Sequence, residues 1–292
     1  MKFAKLSADN DRFFIEQSIC IIGLGLMGGS LALALRGYCT HLIGVDSVAA
    51  TLSLACQRDV VDFATHDLSE ALAQADLVVL AAPVRANLAL LEKIPLIHPD
   101  PISIIDLSST KSMIVASMNQ LPEGFEALGG HPMCGKEKSG LSHADGKLFW
   151  DATFALTETE RTTPALRDLA EQMINIISAK PLWIDAHTHD RWAAATSHLP
   201  YLVSSALAAS TPTETAPLIG PGFQSTGRLA GSDITMMLDI LTTNRQQVLE
   251  ALARYRNSLE EIERTLRNAD EELPDLLEKA NKNYQKLIDR DM

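Results

Sequence analysis

A histidine stands in the run Gly129-Gly130-His131-Pro132-Met133, far downstream of a glycine turn, Gly23-Leu24-Gly25-Leu26-Met27-Gly28. An imidazole is the side chain best suited to take up a proton near neutral pH. In a G-x-G-x-x-G turn the first glycine permits the tight bend, the second lets backbone amides approach a pyrophosphate, and the third allows close packing of helix on strand. A dinucleotide bound at the turn and able to accept hydride, with a proton acceptor beside it, is equipment for oxidising an alcohol. Each motif alone is weak, because glycine spacings of this kind arise by chance. Their order, and the elements expected around them, make the pair informative.

Those elements follow from periodicity. Residues 18–22 are apolar and β-prone, the glycine turn follows, and 30–35 predicts a helix, the context a dinucleotide turn requires. Residues 41–45 predict a second strand ending at Asp46, 77–81 a third closed by Pro83, 102–105 a fourth ending at Asp106, and 125–128 a fifth leading into His131. Residues 152–156 and 181–184 predict later strands around a helix over 164–177. Strands alternating with helices give βαβ units on a parallel sheet, hence an α/β, Rossmann-like domain over residues 1–185. After Asp185 the β signal stops. Val248, Leu252, Tyr255, Leu259, Ile262 and Leu266 alternate four and three residues apart, an apolar seam along one long helix. Such a seam is buried within its own chain or against a second subunit, and its regularity predicts a homodimer built on an all-helical domain over 186–292.

Asp46 falls close to the ~20-residue spacing at which a carboxylate meets the ribose 2′-hydroxyl of a dinucleotide. Its plainer role would be to cap the next helix. A carboxylate there repels a 2′-phosphate, so the expected cofactor is NAD, held by Gly23, Gly25, Leu26, Met27, Gly28, Asp46 and Pro83.

Composition narrows the class. A hydrophobic fraction of 46% with 21% charged residues is that of a globular chain. A net charge of -12 argues against nucleic acid, whose phosphates would be repelled. No apolar run is long enough to span a bilayer, and the opening residues 1–17 lack the apolar core and cleavage site of a secretory leader. Cys20, Cys39, Cys56 and Cys134 are scattered without zinc spacing, as suits a reducing cytoplasm. An anionic substrate would need its own local cations against this background.

The segments GLGLMGGSLA, DLSSTK, GGHPMCGKEKSG, SHLP and GFQSTGRLAGSD, in that order, resemble the prephenate/arogenate dehydrogenase family, with the likeness running from about Ser18 to about Tyr255. The resemblance implies a Rossmann-like N-terminal domain, a helical dimerisation domain, and NAD(P)-dependent oxidative decarboxylation of a cyclohexadienyl acid on the route to tyrosine. It implies His131 as acceptor of the substrate hydroxyl proton, in the neutral form and with a pKa near the working pH, and Ser109 as a hydrogen-bonding partner near the nicotinamide. It puts Ser197, His198, Tyr201 and Arg228 on the substrate side, Arg228 binding a carboxylate with its planar fork. Tyr201 stands where many prephenate-specific members carry a second histidine, which bears on the choice between prephenate and arogenate.

Read from the residues alone, several of these positions have plainer roles. The serines at 108 and 109 would cap a helix, Lys111 would be structural or a modest electrostatic aid, and the glycines flanking His131 would let a ligand approach the backbone. Pro200 would kink a helix after Ser197 and His198. His187, His189 and Asp190 resemble metal ligands but sit where a helix begins, so capping is the expectation and no metal is expected. Cys134 is expected to serve as a small apolar residue. Prephenate oxidation is the leading expectation, with arogenate oxidation, another β-hydroxyacid-type dehydrogenase, and an NAD-sensing protein without turnover as alternatives.

Overall fold

The computed structural model describes residues 14–136, 138–268 and 272–289. Most of the opening stretch weighed above for a leader, and Glu137 of the GGHPMCGKEKSG block, lie outside them. By its contacts the chain divides into two units, Met1–Asn244 and Arg245–Met292.

The first unit is built on an eight-stranded sheet: β1 (Ile15–Ile22), β2 (Cys39–Val45), β3 (Phe63–Thr65), β4 (Leu77–Leu80), β5 (Ser103–Asp106), β6 (Glu126–Pro132), β7 (Thr153–Glu158) and β8 (Lys180–Trp183). Their order is β3-β2-β1-β4-β5-β6-β7-β8. The first six are parallel and follow the doubly wound order, with the reversal of strand order between β1 and β4. One step departs from the all-parallel expectation: β6 and β7 pair antiparallel, with Gly130 opposite Leu156 and His131 opposite Ala155. Helices α1 (Leu26–Leu35), α2 (Ala49–Gln57), α3 (Leu68–Leu72), α4 (Val84–Ile97), α5 (Ser112–Asn119) and α6 (Pro164–Ile176) connect the strands.

Strand alternation splits the core into two layers. Ile19, Ile21, Ile105, Leu128 and Leu156 point to one face and pack with Leu31 and Leu35 of α1 and with Met173 of α6. Cys20, Ile22, Ile104 and Ala127 point to the other and pack with Leu91 and Ile94 of α4 and Ile114 of α5. Parallel strands buried on both faces carry the near-continuous apolar runs seen in the sequence.

Two boundaries move for reasons of packing. Helix α1 begins at Leu26, not at residue 30, and so contains Gly28 and Gly29. Glycine in a helix is disfavoured by about 1 kcal/mol relative to alanine. Here a Cβ on Gly28 would lie 1.9 Å from the Gly23 carbonyl oxygen, and one on Gly29 would lie 2.3 Å from Leu141. Close approach of the helix to its surroundings overrides propensity. Strand β6 runs on through His131 to Pro132 because β7 supplies a second partner along that stretch. The three-residue strand β3 carries no period long enough to be recognised in the sequence.

Beyond Asp185 the first unit is helical: α7 (Ala186–Ala193), a π-helical turn over Ala194–His198, α8 (Leu199–Ser210), α9 (Pro221–Gly227), a 3-10 turn over Arg228–Gly231, and α10 (Ile234–Thr243). Hydrogen bonds stitch this stretch to the sheet domain. Arg85 at the start of α4 reaches Asp239 and Thr242 of α10 at 3.2 and 2.9 Å, and Thr110 meets Thr243 at 2.9 Å. The change from strands to helices near residue 185 therefore precedes the division between compact units, which falls at Asn244.

The second unit consists of α11 (Arg245–Arg267) and α12 (Leu273–Ile288), which pack on each other. Of the seam on α11, Val248 is buried, while Leu252, Leu259 and Leu266 are 40%, 46% and 60% exposed. Among the described residues no helix is long and apolar enough to cross a membrane.

The packing around Gly130 gives a direct test. An added Cβ would lie 2.6 Å from the Asp106 carbonyl oxygen and 2.9 Å from Phe154, so Gly130→Ala should cost about 1–3 kcal/mol by overpacking. Gly231→Ala, with nothing within 4 Å, should stay within about 0.5 kcal/mol of wild type. Denaturant unfolding of both variants measures the contrast; equal stabilities would refute the packing account.

Candidate active site

Because β1, β4, β5 and β6 are parallel neighbours, their C-terminal ends lie in a row along one edge of the sheet. That row carries, in order, the glycine turn, Pro83, the loop from Leu107 to Lys111, and His131. The edge beside the strand-order reversal is where doubly wound sheets bind ligands.

At β1 the backbone makes the turn with Gly23 at φ +98°, where a Cβ would lie within 2.9 Å of the Ala81–Ala82 backbone. The Cβ position of Gly25 is open, with nothing within 4 Å. No side chain caps α1, and by helix geometry the amides of Leu26, Met27 and Gly28 have no partner within the helix. An open approach to uncapped amides at a helix N-terminus fits a pyrophosphate. Asp46 binds the Leu24 amide through Oδ2 and the Val48 amide through Oδ1, both at 2.9 Å. It braces the turn, and through Val48 it also serves the start of α2, as the plainer expectation had it. Each carboxylate oxygen keeps a lone pair for a ribose hydroxyl. Pro83 leads into α4 with an extended backbone. These residues fit a dinucleotide.

At β5 and β6 the site is fastened by a buried ion pair. Lys111 is wholly buried, and its Nζ lies 2.7 and 2.6 Å from the two Asp106 carboxylate oxygens and 2.6 Å from the Gly130 carbonyl. The three ammonium hydrogens are thereby used. Asp106 in turn accepts the amides of Gly130 at 3.0 Å and Ser108 at 2.7 Å. Burial lowers the Lys111 ammonium pKa against the opposing pull of Asp106. Ser108 also accepts from Asn87 at 2.9 Å. The structural bonds of this loop thus fall on Ser108, while half-buried Ser109 stands next to it.

One expectation is corrected here. Neither serine caps α5, whose start is held instead by Asp190 of α7: Oδ1 accepts the Lys111 amide at 2.7 Å and Oδ2 the Ser112 amide at 2.8 Å. The glycines before His131 answer to packing of β6 against Asp106 and against Thr157 and Phe154 of β7, a requirement that the sequence does not announce.

His131, half-buried at the end of β6, places Nδ1 2.9 Å from His189 Nε2, and His189 Nδ1 lies 3.0 Å from Asp190 Oδ1. His189 and Asp190 are 4% and 1% exposed, whereas His187 is exposed, so the three do not face one common point. The cap of α7 is Asp185, which accepts the Thr188 amide. Burial, and after it the neighbouring His189, Lys111 and His198, push the His131 imidazole well below the usual histidine value. The expectation of a pKa near the working pH is corrected accordingly. Burial pushes the Asp190 carboxyl up, but hydrogen bonds from His189, Ser112 and the Lys111 amide outweigh it and hold it below the usual range.

The remaining candidates lie on the following helices. Pro200 has no N–H, and the backbone before it widens into the π-turn Ala194–His198 rather than a simple kink. Ser197 is exposed on that turn and His198 is 1% exposed beneath it. His198 Nδ1 meets Asn244 Nδ2 at 3.3 Å, and the same amide donates to the Asp190 carbonyl at 2.7 Å. Tyr201 is half-buried on the first turn of α8. Arg228 is exposed on a 3-10 turn packed against α8, and Ser204 of α8 donates to the Thr226 carbonyl beside it. Cys134 is half-buried against the core, and burial raises its thiol to about 11.

His189 and Asn244 were not expected at the site, and Asp190 was expected only through the family pattern, in a polar gate near Arg228, rather than behind His131. A histidine–aspartate pair next to a helix start gives no sign of which face it presents, and Asn244 is isolated in the sequence.

Comparison with known proteins places these features in a family. The family model described as "Prephenate dehydrogenase, nucleotide-binding domain" matches residues 31–181, and "Prephenate dehydrogenase, dimerization domain" matches residues 185–281. The prephenate dehydrogenase of Lactococcus lactis subsp. cremoris is 33% identical over 257 residues, covering 84% of this chain and 70% of that protein. A crystal structure of prephenate dehydrogenase from A. aeolicus, in complex with hydroxyphenyl propionate and NAD+, superposes with a TM-score of 0.86 at 27% identity, covering 97% of this chain and 100% of that one. Synechocystis arogenate dehydrogenase superposes with a TM-score of 0.79 at 32% identity, covering 93% and 100%.

The buried histidines predict acid sensitivity. Burial lowers His198 to about 4, with Asp190 opposing and His189 adding to the shift. The unfolded chain takes up this proton near 6.5 and the folded one does not, so stability present above that value is lost as pH falls toward 4. Between pH ~6.5 and ~5 this group should remove about 2 kcal/mol, and His131 acts in the same direction. Denaturant titrations at the two pH values measure the loss, which His198→Gln should reduce; a wild-type stability independent of pH over that range would contradict it.

Proposed function

The chain belongs to the prephenate dehydrogenase family, and from that premise we propose that it catalyses the NAD-dependent oxidative decarboxylation of prephenate to 4-hydroxyphenylpyruvate, a step toward tyrosine. The observation that carries the reading is the single sheet edge on which the glycine turn, Pro83, Ser109 and His131 stand in strand order. A dinucleotide held at the α1 amides would lie along that edge, toward the histidine.

NAD, when bound, supplies the hydride acceptor. The work of this chain is to orient the substrate and handle its proton. His131, neutral because its surroundings oppose a cation, takes the proton of the ring hydroxyl as hydride leaves the same carbon. The O–H bond breaks and a ring carbonyl forms; the ring carboxylate then departs as carbon dioxide, its bonding electrons complete the aromatic ring, the carbonyl π pair moves onto oxygen, and that oxygen takes the proton back as the phenol hydroxyl. Ser109 hydrogen-bonds beside the histidine. Ser197, Tyr201 and Arg228 form the substrate side, with His198 acting from its buried position, and Arg228 holds a carboxylate on a chain of net charge -12.

Arogenate oxidation is the second reading. It is favoured by Tyr201 and by the 32% identity to Synechocystis arogenate dehydrogenase. The functional division between a nucleotide domain and a helical domain is placed at residues 185/186, beside the family-model boundary. A homodimer is proposed from the exposed leucines of α11 and the match to the dimerization domain, and a cytoplasmic location from the scattered thiols.

The deciding assay follows NADH formation with prephenate and with arogenate. Turnover of prephenate with measurable side activity on arogenate is expected; an arogenate preference of tenfold or more in kcat/KM, about 1.4 kcal/mol, would reassign the substrate, and no turnover of either would end the reading. NAD should be used far better than NADP because of Asp46, and equal efficiency would remove that role. His131→Asn should lower kcat by about 10²–10⁴-fold, the scale for a lost general base, with NAD binding intact. Arg228→Ala should raise KM for the substrate strongly, and an unchanged KM would place the carboxylate elsewhere.

A further inference from the structure

The chemistry above needs a lone pair on the His131 nitrogen that faces the substrate, and an imidazole has two tautomers of which only one provides it. We propose that His189 is the positioning residue that sets the tautomer of His131, and that Asp190 sets the tautomer of His189. The inference rests on His131 being the proton acceptor.

The assignment follows from hydrogen-bond polarity. The Asp190 carboxylate receives the Lys111 amide on Oδ1 and the Ser112 amide on Oδ2; both oxygens are acceptors, as in the ionised form. His189 Nδ1, 3.0 Å from Oδ1, therefore carries a hydrogen. A neutral His189 then presents its Nε2 lone pair, and this lies 2.9 Å from His131 Nδ1. His131 Nδ1 must donate. Its second nitrogen, Nε2, is left as the acceptor.

The reverse arrangement requires a cationic His189, which would donate from Nε2 to His131 Nδ1 and leave His131 with a hydrogen on Nε2 and no base. That arrangement leaves His131 without an acceptor, and on uptake of the substrate proton it would set two imidazolium cations against each other across the 2.9 Å His131–His189 contact, where like charges oppose each other. The neutral chain is the one the site supports.

The same chain serves the proton after transfer. As the substrate O–H bond breaks and the Nε2–H bond forms, His131 becomes a cation. Its Nδ1–H already points along the bond to His189, whose far side is backed by the Asp190 carboxylate. The anchors on either side fix the geometry: Gly130, next to His131, is held by Asp106 and Lys111, and Asp190 is held by the first amides of α5.

Long-range ¹H–¹⁵N correlation spectra of ¹⁵N-histidine-labelled protein, free of cofactor and near neutral pH, read the tautomers directly. The expected spectrum has His131 and His189 both protonated on Nδ1. In His189→Phe the Nε2–H form of His131 should grow, and kcat should fall by about 10–100-fold, the scale of a misoriented catalytic group, with KM for substrate and NAD affinity little changed. His189→Gln, whose amide oxygen can accept from His131 Nδ1, should recover part of both signals. A wild-type His131 protonated on Nε2, or position-189 variants with unaltered tautomer and kcat, overturns the proposal. Should His189→Phe fail to fold, the wild-type spectrum and His189→Gln decide. A wild type that turns over neither prephenate nor arogenate sinks the function reading, while the spectrum still reports on the hydrogen-bond chain.

Discussion

The site depends on one buried ion pair. Lys111 and Asp106 are both fully buried, and each would be costly to desolvate alone. Between them they use all three ammonium hydrogens and accept two backbone amides, so the pair is satisfied rather than merely neutralised. Its reach explains its place. It holds β5 by the residue that ends it, β6 by both polar groups of Gly130, and the intervening loop by the Ser108 amide. Ser109 and His131, on neighbouring strand ends, are thereby fixed relative to each other. Replacing one partner would leave a buried charge uncompensated and would remove a tie between Gly130 and the end of β5.

The second anchor comes from outside the sheet. Asp190 occupies the N-terminus of α5, where a carboxylate satisfies orphan amides and meets the positive end of the helix dipole. The capping role that sequence assigns to the serines of this loop is thus supplied from α7. Because Asp190 also receives His189, the joint between sheet domain and following helices is built from the polar groups behind His131. Packing and chemistry share these side chains.

The parallel sheet, the glycine turn, His131 and the helical character after Asp185 were legible because each rests on a local signal: apolar runs bounded by turn residues, a fixed glycine spacing, a 3.6-residue period. The start of α1 was not, because Gly28 and Gly29 are helical only by virtue of what they pack against. The antiparallel pairing of β6 with β7 was not, because direction is set by the connection and not by the strand residues. His189 and Asn244 escaped because their roles exist only after residues 58 and 54 positions away in sequence have been brought beside them. For Lys111 the sequence offers a structural role or a modest electrostatic one, and the ion pair bears out the first, but a lysine in a serine-rich loop carries no mark of complete burial.

A histidine held far below its ordinary pKa is a weak base, on its face a poor choice for removing a hydroxyl proton. The energetics of the proposed reaction reverse that judgement. Loss of carbon dioxide and formation of an aromatic ring supply the driving force, so the base need not pull hard. It needs to be unprotonated and correctly aimed when the hydride leaves. Burial beside His189, Lys111 and His198 favours the first requirement, and the hydrogen bond to His189 serves the second. The weakness itself has a use: an imidazolium that is costly in this surrounding passes its proton on readily and returns to the form that accepts the next one. The acid sensitivity of the fold follows from the same arrangement, because the groups that refuse protons in the folded chain accept them once it opens.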